Sequence, residues 1–218
     1  MKIKYVGHAC FLVTTGDGTR ILTDPYEPGS FDGAVKYRPI SEGADLVLVS
    51  HGHPDHNYVA GVPGNPRVVD HSGETTAGDV SIIGVPCWHD ASRGSERGEN
   101  IAFRIEADGL SVCHLGDLGH PLDAETAGAI LPVDVLLLPV GGFFTVGNDE
   151  ADGIMGALAP KLVIPMHYQT VGVDFPIAPV DVFLDGRDGV RFGHSSEVEF
   201  SPEDLPDGIL VLEPANLP

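Results

Sequence analysis

The segment Ser50-His51-Gly52-His53-Pro54-Asp55-His56 sets three imidazoles and a carboxylate directly behind the apolar run Leu46-Val47-Leu48-Val49. Imidazole and carboxylate are suitable ligands for zinc, iron or manganese. Alternate side chains of an extended segment point the same way, so His51 and His53 can converge on one cation. Pro54 fixes φ and suits the first turn of a helix, which carries Asp55 and His56 away from that pair and toward a second cation nearby. A polar loop that is histidine-rich by composition is the competing reading, but these residue types at this spacing are rare by chance.

A site for two cations needs more than four ligands, and the others should come from the ends of other strands, where loops on a rigid scaffold reach one cleft. Three residues stand in such places. His89 closes the run VSIIGVPCW, Asp117 follows SVCHLG, and His167 follows KLVIPM. Each ends an apolar strand with a ligand-type residue, where a histidine buried for packing is least expected.

The elements that must position these residues read as short apolar or alternating runs separated by turns. IKYV, CFLVTT and RILTD come first, the last two joined across Gly16-Asp17-Gly18-Thr19, because Asp-Gly supplies the positive φ of a tight hairpin. A loop with several Pro and Gly residues, from Asp24 to about Ala44, leads to the buried strand LVLVS. RVVD and VSIIGVPC follow, then the charged loop HDASRGSERGEN and a second hairpin, IAFRIEADGLSVCHLGD, with its own Asp-Gly turn. A helix is predicted from Pro121 to Ile130, then the strand VDVLLLPV, then a helix with Asn148 as its N-cap that Pro160 stops. KLVIPMH is the next strand, with a short helix near Val180 and strands at VRFGH, EVEF and GILVLEP. Hairpins mixed with strand-helix alternation favour an α/β class with helix-covered sheets over an all-β sandwich. No linker or repeat divides residues 1–218, which read as one domain.

Composition narrows the function. The chain has 218 residues, 42% of them hydrophobic, which suits an ordinary core that buries roughly 70% of the unfolded surface. Cys10, Cys87 and Cys113 are odd in number and lack metal-type spacing, which points to a reducing compartment. No apolar run has the length of a signal peptide core or a membrane span, so a cytoplasmic protein without membrane insertion is expected. The formal charge of −20, with only 12 lysines and arginines, repels polyanions and argues against nucleic acid as a partner. Solubility is the plainer meaning of that charge. A small-molecule substrate is expected, and a homo-oligomer is compatible with the sequence.

The pattern HxHxDH, a lone His, an Asp after Gly and a late His resembles the metallo-β-lactamase fold superfamily of metal-dependent hydrolases, matched at His51, His53, Asp55, His56, His89, Asp117 and His167. GHACFLV, TDP, LLPVGGFFTVG and KLVIPMHYQT are similar to a small single-domain bacterial branch that includes ascorbate-6-phosphate lactonases and, more distantly, a phospholipase D acting on N-acyl phosphatidylethanolamine. The likeness runs from about Lys2 to Thr170 and is weaker beyond. It implies a four-layer αββα sandwich with the metals at one edge between two sheets. It also implies two divalent cations, zinc first and manganese or iron as alternatives. His51, His53 and His89 would hold one, Asp55, His56 and His167 the other, and Asp117 would bridge them. A hydroxide shared by the cations would then attack an ester, lactone, amide or phosphodiester, with Asp55 also orienting it.

Asp24, at the end of RILTD, is the expected hydrogen-bond partner of a ligand imidazole, against the alternative of a turn aspartate before Pro25. His8 has two readings, a neighbour of the active site or a histidine bonded within the core. His120, near Asp117 in sequence, is a substrate-facing candidate. His71, His114 and His194 read as ordinary surface or packed residues. Tyr168, Phe143 and Phe144 are candidate pocket residues with packing as the alternative, Tyr37 and Arg38 candidate phosphate readers, and Asp90 to Asn100 a candidate flap or a disordered surface loop. Three other functions compete: an RNA-processing nuclease of the same superfamily, disfavoured by the charge; a di-iron redox protein, disfavoured by His53 where such members resemble a Glu pattern; and a non-catalytic metal sensor, since ligands alone do not establish turnover.

Overall fold

Alternation sorts the first strands of the chain onto two faces. In β1 (Lys2–Gly7), β2 (Cys10–Thr14), β3 (Arg20–Thr23) and β4 (Leu46–Leu48), residues such as Ile3, Phe11, Val13, Ile21 and Leu48 join the larger apolar cluster, while their neighbours Val6, Cys10, Leu12, Leu22 and Val47 join a smaller one on the opposite face. This is the period of two that a pleated strand imposes. The structure, a computed structural model, describes residues 1–218.

The remaining strands are β5 (Arg67–Val69), β6 (Gly73–Ala77), β7 (Val80–Trp88), β8 (Glu99–Ala107), β9 (Leu110–His114), β10 (Val135–Pro139), β11 (Leu162–Met166), β12 (Val190–Phe192), β13 (Glu197–Glu199) and β14 (Gly208–Val211). They form a six-stranded sheet, β13-β1-β2-β3-β4-β5, and an eight-stranded sheet, β12-β14-β11-β10-β9-β8-β7-β6. The larger cluster draws its members from both sheets. The smaller one caps the other face of the six-stranded sheet with Tyr26, Val35, Tyr37, Ile40, Val173 and Ile177, which come from loops. Helices Ala124–Ile130 and Asn148–Leu158 touch each other, and the first packs on β7 and β8. No helix is long and apolar enough to cross a membrane.

Strand polarity decides where function can sit. β3, β4 and β5 are mutually parallel, as are β9, β10 and β11, so their carboxyl ends gather at one edge, where open α/β sheets bind ligands. β7 lies antiparallel to β8, which lies antiparallel to β9, so β7 ends at that edge too.

Both expected Asp-Gly hairpins form, the second with Asp108 and Gly109 at φ 54° and 75°. Three expectations need correction. The first helix begins at Ala124 rather than Pro121, because Asp123 Oδ1 accepts the Thr126 amide at 2.8 Å and so outcompetes Pro121 as a start. Gly147, not Asn148, caps the second helix, with Glu150 Oε2 accepting the Gly147 N–H at 3.1 Å, while Asn148 Oδ1 accepts from Arg187. Pro54 starts a single turn and no helix, since the amides of His56 and Asn57 both return to His53 O and Tyr58 N already bonds Pro25 O. The strand β6 was not anticipated, because its sequence GETTA carries almost no apolar signal and is held by pairing with β7.

Candidate metal centre

Asp24 leaves β3 at φ 40° and turns its carboxylate under β4. Its Oδ1 accepts the Ser50 amide at 2.8 Å, and its Oδ2 accepts the Ser50 hydroxyl at 2.6 Å and His56 Nδ1 at 2.9 Å. With its proton given to Asp24, Ser50 Oγ accepts from His51 Nδ1 at 2.9 Å. One buried carboxylate thus sets the tautomer of two imidazoles, so that the Nε2 lone pairs of His51 and His56 face the cleft.

Asp117 arrives from the end of β9. Its amide donates to Asn100 Oδ1 at 3.0 Å, and Asn100 Nδ2 donates to Leu115 O at 2.9 Å. Gly116, at φ 55°, makes this possible, since a Cβ there would lie 2.4 Å from Asn100 Oδ1 and 2.6 Å from Ser50 Cβ. Asp117 Oδ2 then sits 3.2 Å from His89 Nε2, 3.3 Å from both His56 Nε2 and His167 Nε2, and 3.9 Å from His51 Nε2.

The ligand-type atoms fall into neighbouring groups. His51, His53 and His89 form one, with His51 Nε2 3.0 Å from His53 Nδ1. That separation is near the ~3.3 Å of two nitrogens bound tetrahedrally to one cation at about 2.05 Å. Asp55, His56 and His167 form another, joined by His8, whose Nε2 lies 3.1 Å from Asp55 Oδ2 and whose ring centroid is 4.2 Å from that of His167. A further grouping, Asp24 with His51 and His56, is the hydrogen-bonded support just described.

A family profile described as β-lactamase superfamily domain matches residues 2–167. The chain belongs to the metallo-β-lactamase superfamily. A metal-dependent hydrolase of the UPF0173 group from Thermococcus kodakarensis is 34% identical, the match covering 78% of this chain and 85% of that protein. A similar protein from Pelotomaculum thermopropionicum is 35% identical over 78% and 85% of the two chains. Among solved structures, a candidate zinc-dependent hydrolase of the superfamily from Thermotoga maritima is 38% identical, with a TM-score of 0.80 and coverage of 97% and 98%. An isothiocyanate hydrolase from Delia radicum gut bacteria shares the fold at 16% identity and a TM-score of 0.66.

The donor set fits a superfamily metal site. Five buried polar atoms here lack any hydrogen-bond partner: His8 Nδ1, His56 Nε2, His89 Nδ1, Asp117 Oδ1 and His167 Nδ1. Two of them, His56 Nε2 and Asp117 Oδ1, belong to the cluster that converges on Asp117, where a bound cation would relieve the roughly 1–3 kcal/mol that each costs unmatched. Charge is arranged to match. Burial, then the neighbouring His56, pushes the His51 imidazole down to about 3, which keeps it neutral as a ligand must be. Burial opposes ionisation of Asp117, yet His167 and His56 hold its carboxyl well below the usual range. Burial lowers His56 as well, but Asp117 and Asp55 outweigh it and raise it well above its ordinary value.

His8, Asp24 and His167 have φ of 58°, 40° and 51°. Left-handed backbone in such residues costs on the order of 1–3 kcal/mol each and concentrates at functional sites. His8 thus lies beside Asp55, His56 and His167 rather than remote from the cluster.

Other sequence candidates fall elsewhere. His120 Nε2 accepts the Trp88 amide and Nδ1 faces Pro121 O, so both ring nitrogens serve backbone beside His89 and the residue lines neither cavity of the cleft. Tyr37 is buried with its hydroxyl on Thr170, Tyr168 is buried near Leu212 O, and Arg38 reaches Ala215 O, and none of the three lines the inner cavity. His114 is a packed residue between Ala9 O and the Gly116 amide, and His71 and His194 are exposed. Phe144 lines the cleft, with Phe143 packed edge-on against it. The 90–100 segment is an ordered loop: the Asp90 carboxylate accepts the amides of Ser92, Gly94, Glu96 and Arg97 at 2.7 to 3.0 Å.

Ser50, Asn100, Arg97, Phe31 and Phe175 were not foreseen. Ser50, adjacent to His51, was the one with a local signal. The others act across long sequence separations.

Proposed function

We propose that this chain, working as one domain over residues 1–218, is a hydrolase that uses two divalent cations. His51, His53 and His89 hold the first, Asp55, His56 and His167 the second, and Asp117 lies between them. The observation that carries this reading is the convergence of His56, His89 and His167 Nε2 on Asp117 Oδ2 at 3.2–3.3 Å, while Asp117 Oδ1 has no partner. Such a pair of cations, with zinc the first choice and manganese or iron alternatives, lowers the pKa of a shared water toward neutrality and polarises the oxygen of the bond to be cleaved.

The protein's own groups supply the rest. Asp24 and Ser50 hold His51 and His56 in one tautomer, and His8 holds Asp55 Oδ2, leaving the other Asp55 oxygen to orient the attacking water. No serine, threonine or cysteine lines the inner cavity, so attack by a side chain is not supported. That cavity, about 220 Å³, is below the roughly 300–1,000 Å³ of drug-sized ligand sites. An ester, lactone, amide or phosphodiester of a small molecule fits it. A polynucleotide does not suit a chain of charge −20 with one arginine in its cleft.

Mass-spectrometric metal analysis and hydrolysis assays on protein loaded with zinc, manganese or iron test this. Two ions per chain are expected, with loss in His51→Ala and Asp117→Ala. Full occupancy in both variants would overturn the ligand assignment. No turnover of any ester, lactone, amide or phosphodiester by the fully loaded protein would overturn the hydrolase and leave a metal sensor.

A further inference from the structure

The inner cavity has two unlike walls. One is the metal cluster, and the other is aromatic: Phe144 and Phe175 lie 5.8 Å apart at 76°, and Phe31 and Phe175 5.5 Å apart at 84°. Phe31 is 47% exposed, although folding could have buried it. It reaches this place from a left-handed turn, φ 52° and ψ 53°, flanked by Gly29 and Gly33 at φ 84° and 88°. A bulky residue in that conformation is a genuine outlier, and its ring lines the inner cavity.

Arg97 stands between these walls. It lines both the 220 Å³ inner cavity and a more open one of 630 Å³, and it shares that border with His53. Its backbone is fixed by the 2.8 Å bond to Asp90 Oδ2. Its guanidinium makes no hydrogen bond in the protein; it lies 5.8 Å from the Phe144 ring centroid and has one long contact, 3.7 Å, with exposed Glu96. A guanidinium carries five donors in a fork that matches carboxylate and phosphate, and here all five are unspent at the mouth of the site.

We propose that the substrate is a small molecule with a planar apolar body and an anionic carboxylate or phosphate group. The body packs against Phe31, Phe144 and Phe175, and Arg97 reads the anion. This rests on the hydrolase reading above and names its substrate class. The chain's −20 charge does not forbid an anion at contact, because fields beyond about 8 Å are screened at physiological salt. Glu96 and Glu99, which flank Arg97, restrict the favourable position to the guanidinium itself. Edge-on aromatic walls bind planar groups better than they bind aliphatic chains of the same length.

Metal-loaded protein is assayed with 4-acetoxybenzoate and its methyl ester, which differ only in the anionic group. The kcat/KM ratio is expected to be at least tenfold in favour of the carboxylate. It should fall to about one in Arg97→Ala, recover in part in Arg97→Lys, and persist in Arg93→Ala, an exposed arginine of the same loop. A wild-type ratio near one, or a ratio unchanged in Arg97→Ala, would overturn the proposal. Calorimetric titration gives a readout independent of turnover. Benzoate should bind at least tenfold more tightly than acetate, and benzoate and phenyl phosphate should each bind at least tenfold more weakly to Arg97→Ala, the tighter of the two naming the anion. Equal binding of benzoate and acetate removes the aromatic half, and equal binding to the variant removes Arg97. Should neither ester be hydrolysed with two ions bound, the hydrolase reading fails for esters while these titrations still decide the subsite.

Discussion

Asp90 and Asp117 are both 2% exposed and both neighbour His89, the first along the chain and the second 3.2 Å from its Nε2. Their surroundings are opposite. Asp90 accepts four backbone N–H groups, which overcome the cost of burial and lower its carboxyl to about 2. Asp117 accepts no backbone N–H; imidazole nitrogens face one of its oxygens and nothing faces the other. A buried carboxylate satisfied by the backbone builds structure, here the loop that carries Arg97. A buried carboxylate the protein leaves incomplete marks where something else binds.

Substitution at Asp117 should have the largest effect. Asp117→Asn keeps the shape and removes the charge, so hydrolysis should drop about 10³-fold, equivalent to several kcal/mol of transition-state stabilisation. Steady-state rates with metal analysis would show it, and a variant that keeps both ions and most of its rate would erase the contrast with Asp90. Asp24→Asn comes next. Loss of an imidazole's hydrogen-bond partner costs on the order of 10–100-fold in metal affinity, measurable by competition with a chelator, and an unchanged affinity would demote Asp24 to a turn residue.

Asp90→Ala sharpens the comparison from the other side. The amides of Ser92, Gly94, Glu96 and Arg97 should lose protection from hydrogen exchange while two ions remain bound, and any activity loss should appear chiefly in KM. Loss of metal would mean that the loop and the centre are one unit.

The smallest effect is expected at a third buried carboxylate far from the cleft. Burial works against ionised Glu42, but Lys4 Nζ at 2.7 Å and the local amides hold its pKa below the ordinary value. A folded pKa below the unfolded ~4.3 means that the stabilisation is complete above that range and disappears as pH falls through the lower folded value. Lys4 is 26% exposed, so screening limits the pair to less than about 1 kcal/mol. Denaturant melts of Glu42→Gln should show a small deficit at pH 7 that closes in acid, and a deficit constant with pH would assign it to packing.

Much of the centre was legible because strands announce their ends. Apolar runs stop at Val49, Trp88, Leu115 and Met166, and the polar residues that follow cannot be core by default. His8 was ambiguous because nothing in GHACF tells which way a left-handed residue points. His120 is close to Asp117 in sequence, but the chain turns its ring onto the Trp88 amide, a contact that nothing in the local sequence announces. Helix starts moved because capping depends on which of several polar residues meets a free N–H, a choice made after the preceding loop has its direction.

Residue types and spacing alone determined that this chain sets side chains of metal-ligand type at the ends of apolar runs on an α/β scaffold, since ligand chemistry and the period of two are local properties. Only the tertiary structure decided which imidazoles converge on Asp117, that Asp24 bonds His56 directly and His51 through Ser50, that His8 lies against Asp55, and that Phe31, Phe175 and Arg97 line the cleft. Those relations depend on parallel strand ends brought to one edge and on a few left-handed backbone positions, and neither leaves a periodic trace in the sequence.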